Sequence, residues 1–156
     1  MVSALVLIDI QNFYFGDNTL EGIDHACRNA RKLLDRFRLK NGIIVHVKHE
    51  FDNDKVWPQG KNAEDIHPLL YPIADEKIIA KRSPGAFTGT NLHEELKSRD
   101  VDSLVICGML GHMCVDTTTR EGHALGLKCT VIHDACTTQG LKVSRQGGSC
   151  HSSPCR

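Results

Sequence analysis

The feature that most constrains this chain is a set of short apolar runs, each stopped by polar residues or glycine, alternating with stretches of helical period. Residues 4–8 are continuously apolar and end at Asp9, and 43–47 end in Lys48, His49 and Glu50. Residues 76–80 end at Lys81, 103–107 at a glycine loop, and 128–133 at Asp134. A run without polar alternation suits a strand buried on both faces, because neither side of its pleat meets water. Between these runs, Ile23, Ala26, Cys27, Ala30, Leu33, Leu34 and Phe37 recur at three- and four-residue steps. That period predicts an amphipathic helix from about Gly22, closed by Asn41 and Gly42. Leu92 and Leu96 predict another from Thr90 or Asn91 to Arg99, and a further one follows the glycine loop to about Gly126. The alternation predicts an α/β domain whose parallel sheet is covered on both faces, with its sites at the C-terminal ends of the strands.

A chain of 156 residues suits one domain and buries about two thirds of its unfolded surface without staples. Nineteen basic and nineteen acidic residues balance, so no global field draws nucleic acid or an anionic membrane. The first residues carry no basic segment and reach Asp9 too soon for a signal peptide, which predicts a cytoplasmic protein. The seven cysteines are odd in number and irregular in spacing, which fits reduced thiols. Cys27, Cys107 and Cys129 fall inside apolar patterns and are expected to be packing residues.

Cys114 is different. Gly108 and Gly111 allow a sharp turn from strand to helix, and Cys114 falls near the first helical turn, where free N–H groups favour a thiolate. A cysteine nucleophile needs a base for its proton, a cation for its charge and donors for the oxyanion it creates. Asp9 and Lys81, at two other strand ends, match the first two needs, and the backbone around Cys114 the third. By spacing alone, Cys114 also fits a small core hydrophobe, and Asp9 with Lys81 an ordinary ion pair.

Four segments bring a family into view. They are Leu-Ile-Asp-Ile-Gln-Asn at 7–12, Ile-Ala-Lys-Arg-Ser-Pro-Gly-Ala-Phe-Thr-Gly-Thr-Asn-Leu at 79–92, Cys-Gly-Met-Leu-Gly-His-Met-Cys-Val-Asp-Thr-Thr-Thr-Arg at 107–120, and Val-Ile-His-Asp-Ala-Cys at 131–136. In this order they resemble the signature regions of the isochorismatase-like cysteine hydrolases. The resemblance covers residues 4 to about 138 and implies a Rossmann-like three-layer αβα sandwich. It implies Asp9 as general base and acid, Lys81 as the stabilising cation and Cys114 as the nucleophile that forms a thioester with a small amide. It also implies a non-proline cis bond between Met109 and Leu110, with the amides of Leu110 and Cys114 as the oxyanion hole.

The branch resembled is the metal-independent amidase group, acting on C–N bonds of small amide, carbamoyl or ureido compounds. Nicotinamidases carry an Asp-x-His after the second strand. Here that segment is Val-Lys-His-Glu-Phe-Asp, and His49 with His67 is a weak ligand set, so no catalytic metal and no cofactor are expected. Gln11, Phe13, Trp57, Phe87 and His112 are the candidate substrate-binding residues, with core packing as the alternative reading of the aromatic ones. Residues 51–75 have no sustained period and are expected to form a lid or binding loop. Residues 139–156 have no hydrophobic period, which predicts a mobile tail, with the last element of the sheet missing or altered. Cys150, His151 and Cys155 there make a poor metal site. An apolar edge near the fifth strand would then need covering, which predicts a homo-oligomer, dimer or tetramer. Two other functions fit the same residues: vinyl ether hydrolysis of the isochorismatase type, and a non-catalytic scaffold or thiol sensor.

Overall fold

β1 (Ser3–Ile8) is the central strand of a five-stranded sheet, and its side chains are buried from Ala4 to Ile8. In the computed structural model, the described residues are 1–16, 19–51, 62–73, 75–140, 144–145 and 148–149. β2 (Ile43–His49), β3 (Lys77–Lys81), β4 (Ser103–Gly108) and β5 (Lys128–Cys136) complete the sheet in the order β3-β2-β1-β4-β5, every pair parallel. The chain winds outward from β1 to β3, crosses back to β4 beside β1, and winds outward again. The reversal leaves a crevice beyond the C-terminal ends of β1 and β4, the position where open α/β sheets bind ligands.

β1 alternates between two cores because successive side chains leave opposite faces of the pleat. Leu5 and Leu7 meet α1 (Ile23–Leu39) through Ile23, Cys27, Ala30 and Leu34. Ala4, Val6 and Ile8 meet the other layer, where Leu92 and Leu96 of α2 (Leu92–Lys97) and Val115, just ahead of α3 (Asp116–Ala124), close over the sheet. The result is the three-layer sandwich. Each fully buried leucine on these faces is worth about 2 kcal/mol.

Two of the boundaries that differ from the periodicity have a visible cause. β5 continues three residues past His133, so Asp134 lies inside the strand; a register shift between Ile106 and Gly108 of β4 lets the longer strand pair on to Cys136. α2 stops at Lys97, its entry set by Thr90, whose hydroxyl accepts from the Leu92 amide and donates to Ala86 O. Beyond the sheet, residues 144–145 and 148–149 pair as β6 and β7, a short antiparallel hairpin where no regular element is predicted. Among the described residues no sixth strand joins the sheet, and no helix is long and apolar enough to cross a membrane.

Candidate active site

Three strand ends converge on one ammonium. Lys81, the last residue of β3, has a fully buried side chain, and its Nζ lies 2.7 Å from Asp9 Oδ2, 3.3 Å from Cys114 Sγ, 3.0 Å from His49 Nδ1 and 3.0 Å from Ser83 O. Asp9 follows β1 at φ 51°, a left-handed conformation that aspartate tolerates better than most residues. Its amide donates to Val47 O of β2, which fixes where the chain leaves the sheet. Both carboxylate oxygens are sealed from solvent, and Oδ2 is held to the Lys81 ammonium at 2.7 Å by charge and hydrogen bonding together. That leaves acceptor capacity facing the thiol. Burial pushes the Asp9 carboxyl above the usual carboxylate range, against the pull of the Lys81 charge.

Cys114 sits in the π-helical turn Gly111–Val115 that leads into α3. Burial, and then the Asp9 charge, push its thiol up to about 11, while Lys81 pulls the other way. The resting group is therefore a thiol, with a base and a cation already beside it. The Met109–Leu110 bond is cis, as the resemblance implies. The Leu110 carbonyl accepts from the amides of Met113 and Val115, and the Gly111 amide donates to Thr137 O. Among the described residues the Leu110 amide has no backbone acceptor.

The candidate substrate residues separate. Phe13 stands in an aromatic wall, its ring 5.2 Å from Phe51 and edge-on to it, with the His49 ring 4.6 Å from Phe51. His112 lies at the exposed rim of the turn that carries Cys114, where its Nδ1 hydrogen-bonds to Thr138 Oγ1. Gln11 is wholly buried: its Nε2 donates to His49 O and Glu64 O, and its Oε1 accepts from the His49 amide. Its amide is engaged in holding the chain, because a buried carboxamide must satisfy both ends. The Phe87 ring borders Gly122 of α3 and lines a cavity of about 360 Å³ with Thr90, His93, Glu121 and Leu125, a lining that includes none of Asp9, Lys81 and Cys114. Trp57 lies outside the described residues, as do the first part of the 51–75 connection and Cys150, His151 and Cys155.

His49 and His67 do not form a pair. His67 stacks on Phe15 at 3.9 Å, and its Nδ1 accepts from the Leu69 amide. His49 joins Asp9 and Cys114 instead, with ligand atoms all within 4.8 Å of one another. In metal-binding geometry those donors would surround a cation; here the Lys81 ammonium touches all three. Spacing could not reveal this, because β2 and β3 pair side by side and bring His49 opposite Lys81 in register. Tyr14 was missed as well. It follows β1 in a 3-10 turn, is buried, and lies near enough to Asp9 and Cys114 for their charges, after burial itself, to raise its hydroxyl's pKa.

A family model described as the isochorismatase domain matches residues 3–143. The chain is 38% identical over 147 residues to YddQ, an isochorismatase family protein of Bacillus subtilis, covering 92% of this chain and 82% of that one. It is 29% identical over 144 residues to a streptothricin hydrolase of Streptomyces noursei, covering 92% of this chain and 57% of that one. Its fold matches the crystal structure of an isochorismatase from Pseudomonas putida with a TM-score of 0.84 at 35% identity, over 95% of this chain and 76% of that one. The chain belongs to the isochorismatase family of hydrolases.

Proposed function

We propose that this protein is a cysteine hydrolase that cleaves the C–N bond of a small amide, carbamoyl or ureido substrate through a thioester on Cys114. The observation that carries this is the contact of Lys81 Nζ with both Asp9 Oδ2 and Cys114 Sγ, all three side chains being buried. Asp9 takes the thiol proton, and Sγ attacks the substrate carbonyl carbon. The resulting oxyanion is held by the amides of Leu110 and Cys114. Collapse breaks the C–N bond while Asp9 returns its proton to the leaving nitrogen. Water, deprotonated by Asp9, then resolves the thioester and restores the thiol. A carboxylate whose pKa is raised by burial is a stronger base for this sequence than an ordinary one.

Phe13 and His112 are proposed to border the substrate, and Tyr14 to face it with its hydroxyl. The positive charge the chemistry needs comes from Lys81, so the mechanism calls for no metal or cofactor. A streptothricin hydrolase among the relatives agrees with hydrolysis of a small molecule. We place the protein in the cytoplasm, where the unpaired cysteines among the described residues suit the reducing conditions. A homo-oligomer is proposed to cover part of the exposed apolar surface at Met113, Leu125 and Val131.

The test is turnover of a panel of primary amides, carbamates and ureas by the parent and by Cys114→Ala and Asp9→Asn. Loss of about a thousandfold or more in kcat for both variants is expected. A Cys114→Ala protein that still hydrolysed the panel would overturn the thioester mechanism, and a parent inactive across it would point to ether hydrolysis or a scaffold.

A further inference from the structure

The Lys81 ammonium has three protons and four acceptors within 3.3 Å: Asp9 Oδ2, His49 Nδ1, Ser83 O and Cys114 Sγ. We infer that His49 is a positioning residue that tunes the nucleophile by competing with Cys114 for one ammonium proton of Lys81. This role rests on the cysteine hydrolase proposed above.

His49 is built to be that competitor. Its backbone is clamped on both sides by the buried Gln11 carboxamide, at 2.8 Å to the His49 amide and 2.9 Å to its carbonyl, and its ring packs on Phe51. Accepting from an ammonium requires Nδ1 to be unprotonated, which in a neutral ring puts the proton on Nε2. While Cys114 is a thiol, the three protons go to Asp9, His49 and Ser83. When the thiol ionises, one must turn to Sγ. Asp9 holds its share by charge and Ser83 O is fixed backbone, so the neutral imidazole is the partner that yields. Among the described residues, the other titratable groups that reach the thiol are Asp9 from the end of β1, Lys81 from β3 and Tyr14 from the turn after β1. His49 from β2 thus stabilises the resting thiol against the thiolate, delaying ionisation until a substrate is in place.

The experiment follows the rate of iodoacetamide alkylation at Cys114 across neutral and alkaline pH, with the Cys114 peptide quantified by mass spectrometry. His49→Leu removes the acceptor and keeps water out. It should lower the alkylation midpoint by about one pH unit, about tenfold faster labelling at neutral pH. His49→Asn, which keeps an acceptor oxygen, should stay within about twofold of the parent. An unchanged or slower His49→Leu protein, or an equal shift in His49→Asn, overturns the proposal. A measurement on the parent needs no variant to fold: ¹⁵N NMR of the His49 ring should show Nδ1 bare and Nε2 protonated, and the opposite tautomer overturns it. Alkylation requires no substrate. An amide panel that left no adduct would therefore count against the hydrolase while leaving the His49 result to stand or fall alone.

Discussion

At the scale of the residue, the centre of the molecule is a lysine with a fully buried side chain, held by a carboxylate on one side and by neutral acceptors on the others. Removing one partner of such a pair leaves an uncompensated buried charge, whereas removing both leaves none. Lys81→Met should therefore destabilise the fold by about 3 kcal/mol, and adding Asp9→Asn should recover part of that loss. Chemical denaturation of the three variants checks it, and a double variant as unstable as the sum of its singles would be the contrary result. As the proposed general base, Asp9 should set the acid limb of activity. Because burial raises its folded pKa, kcat/KM should fall with decreasing pH at a midpoint above the ordinary carboxylate value of 3.8, readable in a pH–rate profile. Asp9, Lys81 and Cys114 were legible in the sequence because each stands at the end of an apolar run, where strand and loop meet. His49 was visible as a histidine in a polar cluster and as half of a weak ligand set with His67, not as a partner of Lys81. Its partner, Lys81, lies 32 positions away, and the pairing register that joins them has no local signature.

At the scale of the element, the site depends on how tightly β4 presses on β1. Gly108 has φ 131°, and a Cβ there would come within 2.0 Å of Ile8 O, so only glycine fits where the two strands end together. Gly108→Ala should fail to fold or lose more than about 4 kcal/mol, while Gly126→Ala, with φ 86° and open space, should lose only about 1 kcal/mol. Thermal unfolding of the two distinguishes crowding from backbone strain alone. On the far side, Glu76 joins α1, β2 and the entry to β3: Arg38 donates to both its oxygens, and His46 Nε2 lies 2.8 Å from Oε2. Burial alone would raise the Glu76 carboxyl, yet Arg38, the Ile73 amide and His46 together bring it down to about 2. Burial keeps His46 neutral by lowering its pKa. Both shifts are downward, so both contributions are complete above the unfolded values of 6.5 and 4.5 and are lost as pH falls. Stability measured by denaturant should decline first below pH 6.5 and again between 4.5 and about 2. In Glu76→Gln the lower step should vanish. The strands were readable from their apolar runs, but the extension of β5 through Asp134 was not, because a register shift on β4 is decided by the partner strand.

At the scale of the whole molecule, the order β3-β2-β1-β4-β5 explains why chemistry collects where it does. The chain reverses its winding beside β1, and the crevice left there receives Asp9 from one side of the reversal and Cys114 from the other. The alternation of runs and periods made the layered sheet legible without any contact being known. What it could not assign was the loops: Phe87 carries the same aromatic signal as Phe13, yet packs against α3, because an aromatic ring is equally suited to a core and to a pocket wall. The central claim is that Cys114 carries the acyl group between the two halves of the reaction. Rapid acid quenching of the protein with a turned-over amide, followed by peptide mass spectrometry, tests it most directly. The account predicts a single adduct, of the mass of the substrate acyl group, on the peptide containing Cys114, that forms and decays with turnover. Continued turnover with no mass change on that peptide, and undiminished turnover in Cys114→Ala, would contradict it.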